Sequence, residues 1–292
     1  MYERTHRCSR KIKKLEILKY IVMGKPNGLA QRMKEYYQDA YNIILTKRSN
    51  VIIRLDGKSF GKYTKGLETP FDTGFMEDMN ATAKYLAKKI QGCKFAYVQS
   101  DEISLLLTDY DTFETDAWFG NKLQKIVSVT ASMATSEFNR VRLMRLCDEF
   151  TKNNSYVDAS DIEKFRMGEF DSRAFIIPDA EEVVNYFLWR QQDATRNSIS
   201  MAGQKYFKSD MFKKNTDEVQ EMLFQREGIN WNNYPVRFKR GGCFKKIEVI
   251  GNTGPLFIKG DLPGTSKEWC ELDTPIFSKD RDFILETFKP KE

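Results

Sequence analysis

Short runs of β-forming residues alternate with helical patterns in the middle of the chain. Four apolar runs rich in β-branched and aromatic residues each end at a turn signal, which predicts strands. These runs cover residues 51–55, 94–99, 103–107 and 173–177. Apolar residues at helical spacing predict helices over 75–90 and 117–146. The resulting order β-α-β-β-α-β is that of the ferredoxin-like fold, so we predict an α+β protein with an antiparallel sheet and helices on one face.

Weaker patterns flank this unit on both sides. The predicted elements are helices over 28–45, 180–192 and 216–228, a polar stretch over 193–203 and a basic strand pair around 236–250. We divide the chain into a basic tail or added helix (1–32), a central domain (33–207) and a C-terminal helical and β extension of the same domain (208–292).

Composition narrows the class of protein. The chain has 292 residues, of which 41% are hydrophobic and 30% charged, as in an ordinary soluble globular protein. No apolar run reaches the ~20 residues that a membrane span needs, so we expect no membrane partner. The five cysteines are scattered and form no CxxC pair. This favours reduced thiols in a cytoplasmic protein over disulfides or a structural zinc site.

The scarcity of histidine disfavours several kinds of catalysis. His6 is the only histidine, and it lies in the basic N-terminal stretch. This argues against Ser-His-Asp and Cys-His mechanisms and against metal sites built from several imidazoles. An enzyme with this composition would use carboxylates, lysines, arginines and a hard, oxygen-preferring metal ion.

Positive charge is concentrated at the N-terminus. The net charge is +6, and residues 1–14 contribute six basic residues and one acid, so the rest of the chain is near +1. An anionic partner would therefore be met by local basic patches. The main candidate consists of Arg237, Lys239, Arg240, Lys245 and Lys246. A solvated surface is the commoner interpretation of such a patch.

Three carboxylates are predicted to converge at one edge of the sheet. Asp56 ends the first strand, and Asp101 and Glu102 lie in the hairpin that joins the second and third. Since the first and third strands are antiparallel neighbours in this topology, these residues should meet. Each alone is read more simply as a polar turn. Together they repel one another unless a divalent cation intervenes, which favours metal-dependent nucleotide chemistry with Gly57 allowing close approach.

Five motifs, in order, resemble those of the tRNA-histidine guanylyltransferase superfamily. They are RLDGKSF at 54–60 with Phe71-Asp72, YVQSDEIS at 97–104, FDSR at 170–173, WRQQD at 189–193 and NWNN at 230–233. The resemblance runs from about residue 33 to about residue 250. It implies that the central domain is a palm catalytic domain, as in polymerases and nucleotidyl cyclases. It also implies nucleotide addition to the 5′ end of tRNA in the 3′-to-5′ direction, by a homo-tetramer.

The resemblance also assigns residues to roles. Asp56 and Asp101 would bind two Mg²⁺ ions with the Gly57 carbonyl, and Glu102 would support this catalytic set. The residues expected to contact the activating nucleotide, ATP or GTP, are Arg54, Lys58, Ser59, Phe60, Asp72, Ser100 and Lys125. Those expected to contact tRNA or the incoming triphosphate are Arg173, Arg190, Arg196, Asn197, Lys239 and Arg240.

One stretch departs from the family pattern. Residues 195–201 read TRNSISM where eukaryotic guanylyltransferases carry a histidine-containing stretch, and Gly61 replaces another histidine of some relatives. This resembles the guanylyltransferase-like branch, which repairs 5′-truncated tRNA by adding template-complementary nucleotides after activation with ATP or from a 5′-triphosphate. The alternatives are guanylate addition to tRNA-histidine, a non-catalytic tRNA-binding protein with a palm, and a nucleotidyl cyclase.

Overall fold

A computed structural model describes residues 28–153, 166–250 and 265–288. Most of the predicted basic tail, up to residue 27, lies outside the described residues. The described chain divides into a short unit that ends at Ile43 and a large unit that begins at Ile44. In the short unit, helix α1 (Leu29–Met33) continues through a π-helical turn (Lys34–Gln38) and a 3₁₀ turn (Asp39–Tyr41). The helical stretch thus ends four residues before the predicted end at residue 45.

The large unit is built on a six-stranded antiparallel sheet in the order β4-β1-β3-β2-β5-β6. The strands are β1 (Asn50–Gly57), β2 (Cys93–Gln99), β3 (Glu102–Leu107), β4 (Phe170–Ile177), β5 (Gly242–Ile250) and β6 (Thr265–Leu272). The first four confirm the predicted α+β, ferredoxin-like order. The last two continue the same sheet into the C-terminal extension.

Seven further helices accompany the sheet in the described ranges of this unit. They are α2 (Phe60–Tyr63), α3 (Thr73–Lys89), α4 (Leu123–Lys152), α5 (Ala180–Phe207), α6 (Thr216–Glu227), α7 (Val236–Arg240) and α8 (Asp282–Leu285). Short 3₁₀ turns lie at Trp118–Asn121, Lys208–Met211 and Trp231–Asn233. Within the described ranges, none of the helices has the length and apolar character that a membrane crossing requires.

Helix starts follow local chemistry. The Asp72 carboxylate accepts a hydrogen bond from the Phe75 amide at 2.7 Å and caps α3, as the Phe71-Asp72-Thr73 signal predicts. Helix α4 begins at Leu123 instead of residue 117. The reason is that Phe119 (φ 51°) and Gly120 (φ 59°) adopt left-handed conformations, which separate the preceding 3₁₀ turn from the helix.

Helices cover both faces of the sheet, so the prediction of a single covered face is wrong. Helices α3 and α4 pack on the face that carries Ile53 and Leu55, whereas α5 packs on the face that carries Ile52 and Phe95. The apolar run of β1 is continuous and not alternating, which is typical of a strand that is buried on both faces. Adjacent residues of a strand point to opposite faces, and Ile52 and Ile53 are both fully buried.

Helix α5 runs unbroken through the stretch 193–203 that was predicted to be a polar break. Its small and apolar residues Ala194, Ser198, Ile199 and Ala202 are buried, and the last two pack with Leu223 of α6. The Ser198 hydroxyl also accepts a hydrogen bond from the Trp231 indole at 3.0 Å. Burial of one side keeps this polar sequence helical, because tertiary packing contributes more to a helix than intrinsic propensity does.

The C-terminal extension differs from the predicted strand pair. Its first part forms the short helix α7, and only the second part forms a strand, β5, whose new partner is β6. The change occurs at Gly241, whose φ of +79° favours glycine, and a Cβ there would lie 2.4 Å from the Val98 carbonyl oxygen. Beyond β6, Phe277 and Ile284 join the core under α5.

Candidate active site

The predicted carboxylates meet at one end of the central strands. Asp56 lies opposite Glu102 of β3 on one side and opposite Asp171 of β4 on the other. The Gly57 amide donates a hydrogen bond to the Asp101 carbonyl oxygen at 3.1 Å, which ties the end of β1 to the β2–β3 turn. The topology therefore brings residues 45 positions apart in the sequence to one edge, as the strand order predicts.

The environment of Asp101 opposes its negative charge. Burial raises the pKa of this carboxyl, and the neighbouring charges of Asp56 and Glu102 raise it further. A cation bound between Asp56 and Asp101 would reverse the second effect, because it replaces repulsion between carboxylates with attraction to a shared charge.

The donor set fits a hard cation that shares its ligands with a substrate. Among the described residues, no group of three or more His, Cys, Asp or Glu side chains could by itself hold a metal ion. The candidates are two carboxylates, Asp56 and Asp101, and the Gly57 carbonyl. Magnesium commonly binds one or two carboxylates and completes its shell with water and phosphate oxygens. This set therefore suits Mg²⁺ with a nucleotide better than an all-protein metal cage.

Gly57 has a packing role that the sequence did not reveal. A Cβ built at this position would lie 2.4 Å from the Phe60 ring. Phe60 is itself buried and stacks on Tyr63 with a centroid separation of 4.6 Å. It is therefore part of the core, and its predicted contact with a nucleotide is not supported.

Glu102 is engaged inside the protein. One carboxylate oxygen accepts a hydrogen bond from Arg190 at 2.9 Å, and the other accepts one from Ser104 at 3.4 Å. The Ser104 hydroxyl in turn pairs with the Tyr186 hydroxyl at 2.8 Å. Only 12% of the Glu102 side chain and 7% of the Arg190 side chain is exposed. Glu102, predicted with the catalytic set, is thus largely buried and paired, directly next to Asp101 in the sequence.

Arg190 is therefore engaged within the protein, so its predicted contact with RNA or triphosphate is not supported. Besides Glu102, its guanidinium contacts Asp193 at 3.5 Å and lies 3.4 Å from the centroid of the Trp189 ring. Arg54 lies on the same sheet face as Asp56, two residues before it, and its buried Nε has no hydrogen-bond partner in the described structure. Two guanidinium groups thus lie close to the carboxylate edge.

Other predicted contacts lie on the exposed rim. Arg173 is half exposed and approaches Asp171 at 3.6 Å and Asp56 at 4.0 Å. Lys58 is exposed and pairs with Glu169 at 2.6 Å, and that partner raises the lysine pKa. Ser59 is also exposed and has a positive φ of 59°. These three residues are accessible to an anionic ligand.

Three more predicted residues lie on exposed helical surfaces. Lys125, on α4, places its ammonium 4.6 Å from the centroid of the Phe119 ring. On α5, Arg196 donates to Asp193 at 2.7 Å, and the Asn197 amide reaches the same carboxylate at 3.5 Å. All three remain exposed.

A cavity opens beside the β2–β3 turn, where α3 begins and where α5 and α7 pass. Three predicted residues, Asp72, Ser100 and Asn197, line it. The remaining lining residues are Phe71, Phe75, Met76, Gln99, Ala194, Ser198, Met201, Arg237, Phe238 and Gly241. Sequence reasoning assigned no site role to these, because they come from separate elements. The usable signals were the positions of Phe71 and Gln99 inside the quoted motifs, directly before Asp72 and Ser100.

Most side chains of the predicted basic patch make contacts within the protein. Lys239 is buried and donates to the Asn232 carbonyl, and burial lowers its pKa. Arg237 donates to the Val98 carbonyl, and Lys245 donates to the Phe283 carbonyl. Arg240 reaches the Thr274 carbonyl at 3.4 Å. The prediction of Lys239 as a tRNA contact is therefore not supported, since its ammonium is turned inward.

Comparison with known proteins identifies the family. A family model described as tRNAHis guanylyltransferase matches residues 30–178. A bacterial tRNA(His) guanylyltransferase-like protein in complex with ATP is 41% identical, covers 89% of this chain and 98% of its own, and superposes with a TM-score of 0.72. The complex of such a protein with GTP gives a TM-score of 0.69 at the same identity.

A curated relative agrees with these structures. The tRNA(His) guanylyltransferase of Neurospora crassa is 27% identical over 214 residues, which is 68% of each chain. The family match covers half of the chain and includes the carboxylate edge. The chain therefore belongs to the tRNAHis guanylyltransferase family and is a nucleotidyltransferase.

Proposed function

We propose that this protein adds nucleotides to the 5′ end of tRNA in the 3′-to-5′ direction. The observation that carries the proposal is the convergence of Asp56 and Asp101 at one strand edge, next to a cavity that Ser100 and Asp72 line. In the first step, the 5′-monophosphate of the RNA attacks the α-phosphorus of ATP and pyrophosphate leaves. In the second, the 3′-hydroxyl of the incoming nucleotide attacks the activated end and AMP leaves.

The residues of the chain would hold and orient the reacting groups. We assign Asp56, Asp101 and the Gly57 carbonyl to a pair of Mg²⁺ ions, which would lower the pKa of an attacking hydroxyl and neutralise phosphate charge when bound. Glu102, fixed by Arg190, would keep Asp101 in place. Arg173 and Lys58 on the rim would meet the triphosphate. No histidine base is required in this scheme.

Guanylate addition to tRNA-histidine is the first candidate for the biological reaction. Several curated relatives are named for this activity, so the comparisons favour it over the template-dependent repair that we predicted from the sequence. The GTP complex of the bacterial relative is in line with guanylate as the nucleotide that is added.

Template-dependent repair is the second candidate, on one specific observation. In the stretch 195–198 (TRNS), Ser198 is buried under Trp231, and Arg196 is exposed. The permanently charged fork of Arg196 suits phosphate better than one particular base. Base choice would then come from pairing with the opposite strand of the acceptor stem. We further propose a homo-tetramer, on the resemblance alone, and a cytoplasmic location, on the scattered cysteines of the sequence.

The first experiment tests the activity itself. The protein is incubated with Mg²⁺, ATP labelled on its α-phosphate, and a 5′-monophosphorylated tRNA transcript. Labelled, adenylylated RNA is expected from the wild type, and none from Asp56→Ala that retains the wild-type circular dichroism spectrum. Full activity of this variant would overturn the assignment of the site. Absence of adenylylated RNA with the wild type would favour the non-catalytic tRNA-binding alternative.

A second experiment separates the two reactions. Product sequencing compares full-length tRNA-histidine with tRNAs that lack their first nucleotide and carry each of the four bases opposite the gap. Addition of guanylate alone, whatever the opposite base, identifies the guanylyltransferase. Addition that follows the opposite base identifies repair.

A further inference from the structure

Aromatic side chains line the cavity beside the β2–β3 turn, as in sites that bind a flat ring. The Phe71 and Phe238 rings stack with centroids 4.8 Å apart and an angle of 9° between their planes. Both line the cavity together with Phe75 and Met201. Aromatic rings and methionine sulfur make favourable contacts with planar π systems. Ser100 lines the same cavity and precedes Asp101, so a ligand could reach from these walls to the carboxylate edge.

Most polar groups that line this cavity already have partners. The two oxygens of Asp72 accept hydrogen bonds from the amides of Phe75 and Glu68. The Ser198 hydroxyl accepts from the Trp231 indole, and Arg237 donates to the Val98 carbonyl. These groups shape the cavity through contacts within the protein.

Gln99 is different. Its side chain is only 4% exposed, and its Oε1 is buried with no hydrogen-bond partner in the described structure. A buried carbonyl oxygen without a donor is costly, so such a group usually has a partner that the structure does not show. In this cavity the partner would be a ligand with an N–H group on the edge of a flat ring.

We propose that Gln99 reads the base of the activating nucleotide, by accepting a hydrogen bond from an N–H group on the Watson–Crick edge of a purine. Adenine offers its exocyclic 6-amino group, and guanine offers N1–H and its 2-amino group. The proposal rests on the proposed function, because it places the triphosphate of the same nucleotide at Asp56 and Asp101. It makes Gln99 a specificity-determining residue for the activation step.

Equilibrium binding of two nucleotides tests this pairing without any turnover. Isothermal titration calorimetry in Mg²⁺ compares ATP with purine riboside 5′-triphosphate, which lacks the 6-amino group. We expect the wild type to bind ATP about 10-fold more tightly or better, from the typical cost of an unmade buried hydrogen bond. The Gln99→Met variant, which keeps the length but removes the acceptor, should bind the two triphosphates with similar affinity. Gln192→Met, on the exposed surface of α5, is the matched control and should keep the wild-type preference.

Each outcome of the titrations bears on a different proposal. Equal binding of both triphosphates by the wild type, or an undiminished preference for ATP in Gln99→Met, would overturn the assignment of Gln99 while leaving the proposed function in place. Binding of neither triphosphate by the wild type would overturn the proposed function and this inference together. If Gln99→Met does not fold, the wild-type comparison alone still decides whether the 6-amino group is read.

Discussion

At the scale of single residues, the charge on Asp101 is opposed by its surroundings. Its pKa is raised in the folded protein by burial and by Asp56 and Glu102. A carboxyl with a raised pKa contributes stability at low pH, and this contribution is lost as the pH rises through the folded-state value. At neutral pH, the ionised form is therefore a cost that a bound cation would offset.

The first prediction follows from this cost. In a buffer that contains a metal chelator at pH 7, Asp101→Asn should raise the melting temperature. The expected increase is about 2–4 °C for each kcal/mol gained in the free energy of unfolding. Added Mg²⁺ should raise the melting temperature of the wild type but not that of the variant, which should also lose nucleotidyl transfer. Asp148→Asn, an exposed change on α4, is the control and should behave as the wild type. A variant less stable than the wild type at pH 7 would contradict the argument.

The buried pair between Glu102 and Arg190 leads to the second prediction. Arg190→Met leaves a buried carboxylate without its partner, so we expect a loss of about 3–5 kcal/mol in urea unfolding. The double change with Glu102→Gln should recover part of this loss, because the uncompensated charge is gone. A loss in the double variant equal to the sum of the single losses would mean that the two residues do not act as a pair.

The same variants test whether Glu102 binds metal. Glu102→Gln should lower kcat and leave the Mg²⁺ concentration for half-maximal activity near that of the wild type, because we propose that Glu102 acts through the position of Asp101. A large increase in the required Mg²⁺ concentration would instead show that Glu102 is a metal ligand.

At the scale of elements, two helices start with the same kind of cap but in different surroundings. Asp72 caps α3 and lines the cavity, whereas Asp179 caps α5 through the Glu182 amide at 3.0 Å and lies away from it. The third prediction is that Asp72→Ala and Asp179→Ala each lose about 1 kcal/mol of stability in urea unfolding. Only Asp72→Ala should also weaken ATP binding in calorimetry.

The comparison of these caps has an internal control. Asp72→Asn keeps a good capping side chain, so it should restore most of the stability lost in Asp72→Ala. Equal effects of Asp72→Ala and Asp179→Ala on ATP binding would show that the cavity is sensitive to helix stability and not to Asp72 itself.

At the scale of the whole molecule, one side chain of α5 makes two hydrogen bonds to the backbone of the C-terminal segment, beside the apolar packing of Phe277 and Ile284 and the ion pair of Arg281 with Glu181. The Gln191 amide donates to the Pro275 carbonyl at 2.8 Å and accepts from the Phe277 amide at 2.9 Å. The fourth prediction is that Gln191→Ala destabilises the protein by about 1–3 kcal/mol for each backbone group left without a partner. Gln192→Ala, at the adjacent exposed position, should change stability little. Urea unfolding measures both, and equal losses would contradict this role.

The distribution of charge gives the fifth prediction. Since Lys239 is turned inward, binding of tRNA should depend on exposed cations such as Arg173 and Arg196. Neutralising both with glutamine should reduce the slope of log K against log salt concentration by roughly one per lost phosphate contact in filter binding. Lys239→Met should leave the slope unchanged. A reduced slope in Lys239→Met would show that this lysine contacts the RNA and would contradict the argument.

The order of the first four strands and the edge at which the carboxylates meet could both be predicted from the residues alone. Hydrophobic periodicity and turn residues are local signals, so runs such as 51–55 and 103–107 could be read directly. The antiparallel pairing of the first and third strands then followed from the topology. The convergence of Asp56 and Asp101 required only that order, and no knowledge of side-chain packing.

Which of the polar residues are exposed and unpaired could not be predicted from local patterns and depends on how distant segments pack. Glu102 is paired with Arg190, 88 positions away, and Lys239 donates to a carbonyl of a neighbouring turn. The polar stretch of α5 stays helical because α6 covers one of its sides, and Gln99 lines a cavity that residues of α3, α5 and α7 enclose. Pairing, burial and enclosure depend on contacts between distant segments, and a pattern within one segment does not contain them.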